Sequence, residues 1–149
     1  CRITVRNVMD RPGVAAAIFA PIAEAGILVD MIIQNTGREG RTDMTFTISR
    51  GNLDKTLAIL EKLKPEIGAA EIQHDTNVCK VSVIGVGMRS HSGVASMMFT
   101  ILKKENINIL MIATSEIKIT CLIEEKYLEL AVRTLHDAFG LSQAPTPAC

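Results

Sequence analysis

The sequence predicts an α+β chain in which one small βαββαβ unit is used twice, each copy an antiparallel sheet with its helices on one face. Three observations predict it. Gly13-Val14-Ala15 through Met31 returns as Gly93-Val94-Ala95 through Met111 at a constant offset of 80 (93 − 13 and 111 − 31), with Phe19 answering Phe99 and Ile27 answering Ile107. A period this long is a duplicated folding unit and not a helix or strand harmonic. Within each copy, apolar residues switch between strand-like alternation and helical spacing. The composition, 48% apolar with one Tyr, four Phe and no Trp, describes an aliphatic interior. Units of roughly 75 residues bury little core alone and should pack against each other or a partner.

The first copy opens with Ile3-Thr4-Val5-Arg6-Asn7-Val8, alternating as a strand does. Asp10-Arg11-Pro12-Gly13 should start a helix, with Asp10 as cap and Pro12 in the first turn. Val14 to Ala25 has helical spacing, Pro21 should bend it, and Gly26 should end it. Ile27 to Asn35 reads as a second strand, Thr36 to Arg41 as an exposed turn, and Asp43 to Ser49 as a third strand in a hairpin with the second. Asn52 should cap a second helix that faces the core with Leu53, Leu57, Leu60 and Leu63 or Ile59. Ala70 to His74 can supply a fourth strand. This order is the ferredoxin-like plan, and it leaves one sheet face for a second copy or a partner.

The second copy gives strands over Lys80 to Val86, Ile107 to Thr114 and Ile117 to Ile123, and helices over Ser92 to Glu105 and Lys126 to Phe139. Leu128, Val132 and Leu135 match Leu53, Leu57 and Leu60 at an offset of 75, so the shortening falls in the hairpin turn. From Ser142 to Cys149, two prolines and small polar residues read as a tail rather than a strand, so the second module lacks its own fourth strand. The predicted division is 1–77, 78–141 and a tail, 142–149.

Sixteen basic and sixteen acidic residues cancel, with no basic stripe interleaved with aromatics, so nucleic acid and anionic membrane are excluded as partners. Glu24, Asp30, Lys103 and Lys104 interrupt the longest apolar runs, so no membrane span is predicted. The chain begins with Cys rather than Met, carries no signal peptide, and reads as cut from something longer. Cys79 and Cys121 lie in apolar strand-like runs and read as reduced core residues, which places the protein in the cytoplasm.

No constellation for catalysis is found. Gly85-Val86-Gly87 follows a strand, but position 90 is Ser where a dinucleotide fingerprint needs its third glycine, and no Gly-Lys-Ser/Thr phosphate loop occurs. His74, His91 and His136 have no ligand spacing, and nothing near Ser90-His91-Ser92 orients an imidazole. Glu124-Glu125 should begin a helix and suit its dipole. No metal, cofactor or catalytic residue is therefore expected. Asp30 is different: it interrupts Ile27-Leu28-Val29-Asp30-Met31-Ile32-Ile33, where a carboxylate cannot serve as core filling. A backbone or arginine partner would satisfy it, and so would a ligand ammonium. The end of the second strand should lie beside the Asp10–Gly13 turn, whose following helix offers N–H groups to an anion. Ammonium and carboxylate sites side by side would receive a free amino acid.

Asp-x-Pro-Gly before the first helix of such a unit resembles the ACT domain. Five motifs in order, Asp10-Arg11-Pro12-Gly13, Val29 to Asn35, Thr42 to Thr47, Lys80 to Met88 and Met111 to Ile117, are together similar to the regulatory region of aspartate kinase. That resemblance, from about Ile3 to Leu141, implies binding of threonine and/or lysine at interfaces between ACT units. It also implies feedback inhibition of a kinase domain or α subunit outside this chain, in lysine, threonine and methionine biosynthesis, while the helix-free sheet faces and the unpaired edge of the second copy predict a homodimer. In this family the second ACT unit is completed by chain preceding the first. The predicted effector residues are the backbone of Gly13, Val14 and Ala15 for the carboxylate, Asp30 for the ammonium, and Gln34 and Asn35 for the side chain, with Asp10 and Val29 among the residues of the same site. By resemblance, Asn108, Ile109, Thr114, Ser115 and Glu116 form the matching surface of the second copy, with Leu110 where the first copy has Asp30. The rival readings are a stand-alone ACT-type regulator unconnected with the kinase and a small transferase active by itself, the latter opposed by the missing acid/base pair.

Overall fold

Strand β1 (Arg2–Met9) sets the frame of the first unit. Ile3 and Val5 are fully buried on one face, whereas Arg2 and Thr4 lie on the other, where Arg2 meets Asp75 at 3.5 Å and the Thr4 and Thr45 hydroxyls meet at 3.0 Å. The computed structural model describes residues 1–35, 37, 39–85 and 93–141. The expectations for Gly87, His91, Ser92 and the Ser142–Cys149 tail lie outside these residues.

Helix α1 (Val14–Glu24) follows β1, then β2 (Val29–Gln34), β3 (Arg41–Ile48), α2 (Leu53–Ile67) and β4 (Glu71–Asp75). The sheet order is β2-β3-β1-β4, all antiparallel neighbours, with Ile3 opposite Phe46 and Val29 opposite Ile48. Ile3 and Val5 pack with Met44, Phe46, Val14, Ile18, Ile22, Leu60 and Ile67 in one apolar core between sheet and helices. The second unit holds β5 (Val78–Ile84), α3 (Val94–Lys104), β6 (Met111–Thr114), β7 (Lys118–Glu124) and α4 (Leu128–Ala138). Its sheet has three strands among the described residues, β5-β7-β6, over a core of Val81, Met98, Leu102, Ile119, Cys121, Ala131 and Leu135. The chain divides into two compact units, Cys1–Thr76 and one beginning at Asn77.

Thr76 and Asn77 alone lie between β4 and β5. Arg50 Nη2 donates to the Thr76 carbonyl at 2.6 Å, and the Glu125 N–H to the Asn77 carbonyl at 2.9 Å. Arg50 and Glu125 each open a short 3₁₀ turn, Arg50–Asn52 before α2 and Glu125–Tyr127 before α4.

Several sequence expectations are corrected. Asp10 does not cap α1: Gly13, at φ 92°, holds the cap position with no side-chain cap bond, and the Asp10 N–H instead donates to the Gly40 carbonyl at 2.8 Å. Pro12 therefore precedes the helix, while Pro21 sits inside it. Asn52 is at the α2 cap position but makes no side-chain cap bond; its amide donates to Ser49 Oγ at 3.3 Å. Leu128 and Val132 are 38% and 49% exposed and Leu57 lies outside the first core; one step back along each helix, Thr56 and Ala131 are fully buried. The 3₁₀ turn ahead of each helix sets the face it presents, and spacing alone does not reveal that offset. Glu124 ends β7 and does not begin a helix; its carboxylate takes Lys126 Nζ at 2.6 Å. The strand expected from Ile107 begins only at Met111, because before it the chain makes a single ladder bond, Leu110 N–H to Leu122 O.

Candidate functional site

Gly13 is where the turn becomes a helix. Its positive φ is a conformation that glycine adopts without steric cost, and it leaves the first N–H groups of α1 without a side-chain cap. Val14 is buried, so it offers only backbone, while Gly13 and Ala15 are exposed. Asp10 is exposed at the start of the turn.

The register separates the remaining residues into two groups. Gln34 lies opposite Met44, which pairs with Val5 midway along β1, and the Asn35 carbonyl accepts the hydroxyl of Thr42, opposite Val8 near the end where β1 leads into the turn. Val29 lies opposite Ile48, and the Met31 N–H donates to Thr47 Oγ1 at 3.2 Å, so Val29 and Asp30 lie at the far end. Thr47 and Arg41 pair with Arg2 and Met9, the two ends of β1. Six steps of β3 separate them, roughly 20 Å. The expectation that the turn and the Asp30 strand position are neighbours is thus corrected within one unit: the end of β2 is beside the turn, and Asp30 is at its start.

The second unit repeats the division. Asn108 and Ile109 precede β6, whereas Thr114 ends it and Ser115 and Glu116 lie in its turn into β7, closed by Ser115 N–H to Lys118 O at 2.7 Å. Asn108 and Ile109 line a groove of about 350 Å³ with Phe99, Lys103, Asn106 and Ile107. Sequence reading used Lys103 only as an interruption of an apolar run. The signal that could have found the groove is a cation in the last turn of a helix three residues before Asn106, which adopts φ 56°.

A second, apolar cleft of about 340 Å³ lies between β5 and α4, lined by Val81, Val83, Val132, Leu135, Phe139 and Leu141 among others. It borders the same side of β5 on which β4 flanks β1 in the first unit. Ile84 and Leu141 at its rim are 68% and 64% exposed. Cys121 is fully buried and desolvation pushes its thiol up to about 11; burial, with Glu125 adding to it, raises Cys79 as well. Among the described residues no cluster of His, Cys, Asp or Glu could hold a metal, and no helix is long and apolar enough to cross a membrane.

Family models of the ACT domain match residues 2–65 and 81–139. An aspartate kinase of Pseudomonas putida is 56% identical over 140 residues, 94% of this chain and 34% of that protein. A crystal structure of aspartokinase alpha and beta subunits matches at 56% identity over 93% of this chain and 91% of the other, with a TM-score of 0.86. The chain belongs to the aspartokinase regulatory family. The ligand-free regulatory subunit of aspartate kinase from Thermus thermophilus has the same fold at 40% identity, TM-score 0.86, again over 91% of its length. As an aspartokinase regulatory region, the chain spans about a third of the length of the curated relatives it matches. The two ACT modules are the two units described above, and the chain is a regulatory part rather than a catalytic one.

Proposed function

We propose that this chain senses a free amino acid, threonine and/or lysine, in the cytoplasm and transmits its presence to an aspartate kinase catalytic domain or α subunit, inhibiting phosphorylation of aspartate. The observation that carries the reading is the near-complete overlap with a chain of the solved aspartokinase alpha and beta subunits, 56% identical over 91% of its length. Supporting it, Asp30 places an exposed carboxylate among Val29, Met31, Ile32 and Ile33 of β2.

The register supports a site assembled from more than one unit. A free amino acid is far shorter than the roughly 20 Å between Asp30 and the Gly13 turn of one unit. The two halves of the receptor therefore come from two units, one supplying the Gly13–Ala15 backbone, Gln34 and Asn35, the other a far-end group such as Asp30. Helix α1 fits that role: beyond its buried Val14, Ile18 and Ile22 it exposes Ala15, Ala16, Ala20 and Ala23. Leu28 and Ile32 beside it are 81% and 54% exposed. Small and apolar groups of this kind are covered in a stable assembly, and a two-fold partner copy sets the turn of one molecule against Asp30 of the other. The cleft beside β5 is the place for the completing strand expected from chain preceding the first unit.

Titration calorimetry with threonine and lysine tests this. A charge-assisted contact contributes about 1.5–3 kcal/mol, so Asp30→Ala should weaken binding at least about tenfold while sedimentation still shows a folded dimer. Unchanged affinity in the folded variant sinks the role of Asp30. No binding of either amino acid to the wild type sinks the whole reading.

A further inference from the structure

Strand β1 carries a bulge that has no counterpart among the described residues of the second unit. The β1–β3 register shifts between Val5 and Val8, and Asn7 stands there at φ 57°. In β5 pairing runs without a shift to Ile84, and the Gly85 N–H continues it to the Ile117 carbonyl at 2.9 Å. A non-glycine residue in the left-handed region is strained and persists only where its surroundings hold it. Side chains from β3 do the holding. Asp43 Oδ1 accepts the Asn7 N–H at 2.7 Å, and Arg41 Nη1 donates to the Asn7 carbonyl at 3.0 Å. The same Arg41 nitrogen donates to the carbonyl of Gly68, the C-cap of α2, at 2.8 Å. The bulge also reaches the chain beyond α2, because the Arg6 carbonyl accepts the Ala70 N–H at 3.0 Å. One irregularity, three residues before the Asp10–Gly13 turn, thus joins that turn to the end of α2 and the start of β4.

We propose that this bulge is the conformational relay of the first unit, coupling occupancy of the Asp10–Gly13 turn to the C-terminal end of α2, with Arg41 as the positioning residue that carries the coupling. The proposal rests on the amino-acid-sensing reading above. A bulge clamped by side chains has two discrete arrangements. With the clamp closed, Asn7 is left-handed and the Gly68 carbonyl is bonded. With it open, Asn7 returns to extended backbone, the chain leading into the turn is re-aimed, and the α2 cap loses its cation. A ligand seated on the turn favours the arrangement in which the turn fits it, and it shifts the pair of states through that difference in affinity alone. Among its described residues the second unit pairs without a bulge, and it has Leu110 in place of Asp30.

The test combines calorimetry with amide hydrogen exchange on the 149-residue chain, using threonine and lysine as probes. In the wild type, saturation should slow exchange of the Ala69 and Ala70 amides at least about tenfold. Arg41→Gln should bind the amino acid within about threefold of wild type, yet show less than about a twofold change at those amides. Asn7→Gly, which adopts the left-handed region without strain, should bind and retain the full response, so a loss in Arg41→Gln is not general misfolding. A tenfold slowing retained in Arg41→Gln overturns the relay, and so does binding to the wild type with no change at Ala69 and Ala70. Absence of binding to the wild type, read by calorimetry before any exchange is measured, overturns the sensing reading and the relay with it.

Discussion

Phe46→Ala asks whether the two units are held by separate cores. Phe46 is fully buried, lies opposite Ile3 and Ile32 in its two strand pairings, and meets the Phe19 ring edge-on at 5.2 Å and 78°. Truncating a buried phenylalanine to alanine costs about 3–5 kcal/mol, which includes the lost ring contact of about 0.5–1.5 kcal/mol. The unit that contains it runs from Cys1 to Thr76. At about 0.05–0.15 kcal/mol per residue such a unit has about 4–11 kcal/mol of stability. The substitution therefore removes at least a quarter of that stability and, at the low end, all of it. Phe46 belongs to the core of the first unit, and the core of the second is a separate cluster of Val81, Met98, Leu102, Cys121 and their neighbours. Native-state hydrogen exchange reads both units in one sample. Amides of β1 and β3 should lose protection by about two orders of magnitude or more, at 1.4 kcal/mol per tenfold, while those of β5 and β7 stay within about twofold. Equal loss in both units would mean a single cooperative core and refute the reasoning, and a cost below about 1 kcal/mol would refute the packing argument.

Two further outcomes follow from single residues. The buried Cys121 thiol titrates near 11, above its ordinary value, so the unfolded chain gives up that proton first as pH rises; its contribution to stability is intact below about pH 9 and is lost progressively toward pH 11. Denaturant midpoints at pH 8 and pH 10 should thus fall further in the wild type than in Cys121→Val, and parallel slopes would contradict this. Asn106 takes φ 56° at the position equivalent to Gly26, at φ 72°. Asn106→Gly should change stability by less than about 0.5 kcal/mol, whereas Asn106→Val should cost about 1–2 kcal/mol by calorimetric melting, and equal stability of the two would show that the conformation is not enforced.

The repeat, the element order and the three-stranded second sheet were legible in the sequence, because duplicated apolar spacing and paired turn glycines such as Gly13 and Gly93 are local signals. The identity of the sheet end on which each site residue lies was not. Asp30 and Asn35 are five residues apart in sequence, yet one sits near the Arg2 end of β1 and the other, bonded to Thr42 opposite Val8, near the Met9 end. Only the pairing register, a long-range property, separates them. The helix caps misled for another reason: Asp10 and Asn52 are favoured cap types, but Gly13 in left-handed backbone and the 3₁₀ turn at Arg50–Asn52 start the helices without a side-chain acceptor. The Asn7 bulge gave no sequence sign at all, since its supports, Asp43 and Arg41, are more than thirty residues away.

The junction of Thr76 and Asn77 fixes a distance. Three peptide steps from Asp75 to Val78 cannot exceed about 11 Å. Whatever surface one module offers the other is therefore met at an effective concentration of millimolar or higher, far above that of any soluble partner at ordinary cellular levels. Duplication in one chain turns what would be a concentration-dependent encounter of two small modules into a constant of the molecule. Any response that needs only the two modules of one chain becomes insensitive to how much of the protein the cell makes, and cleavage between Thr76 and Asn77 would restore that dependence.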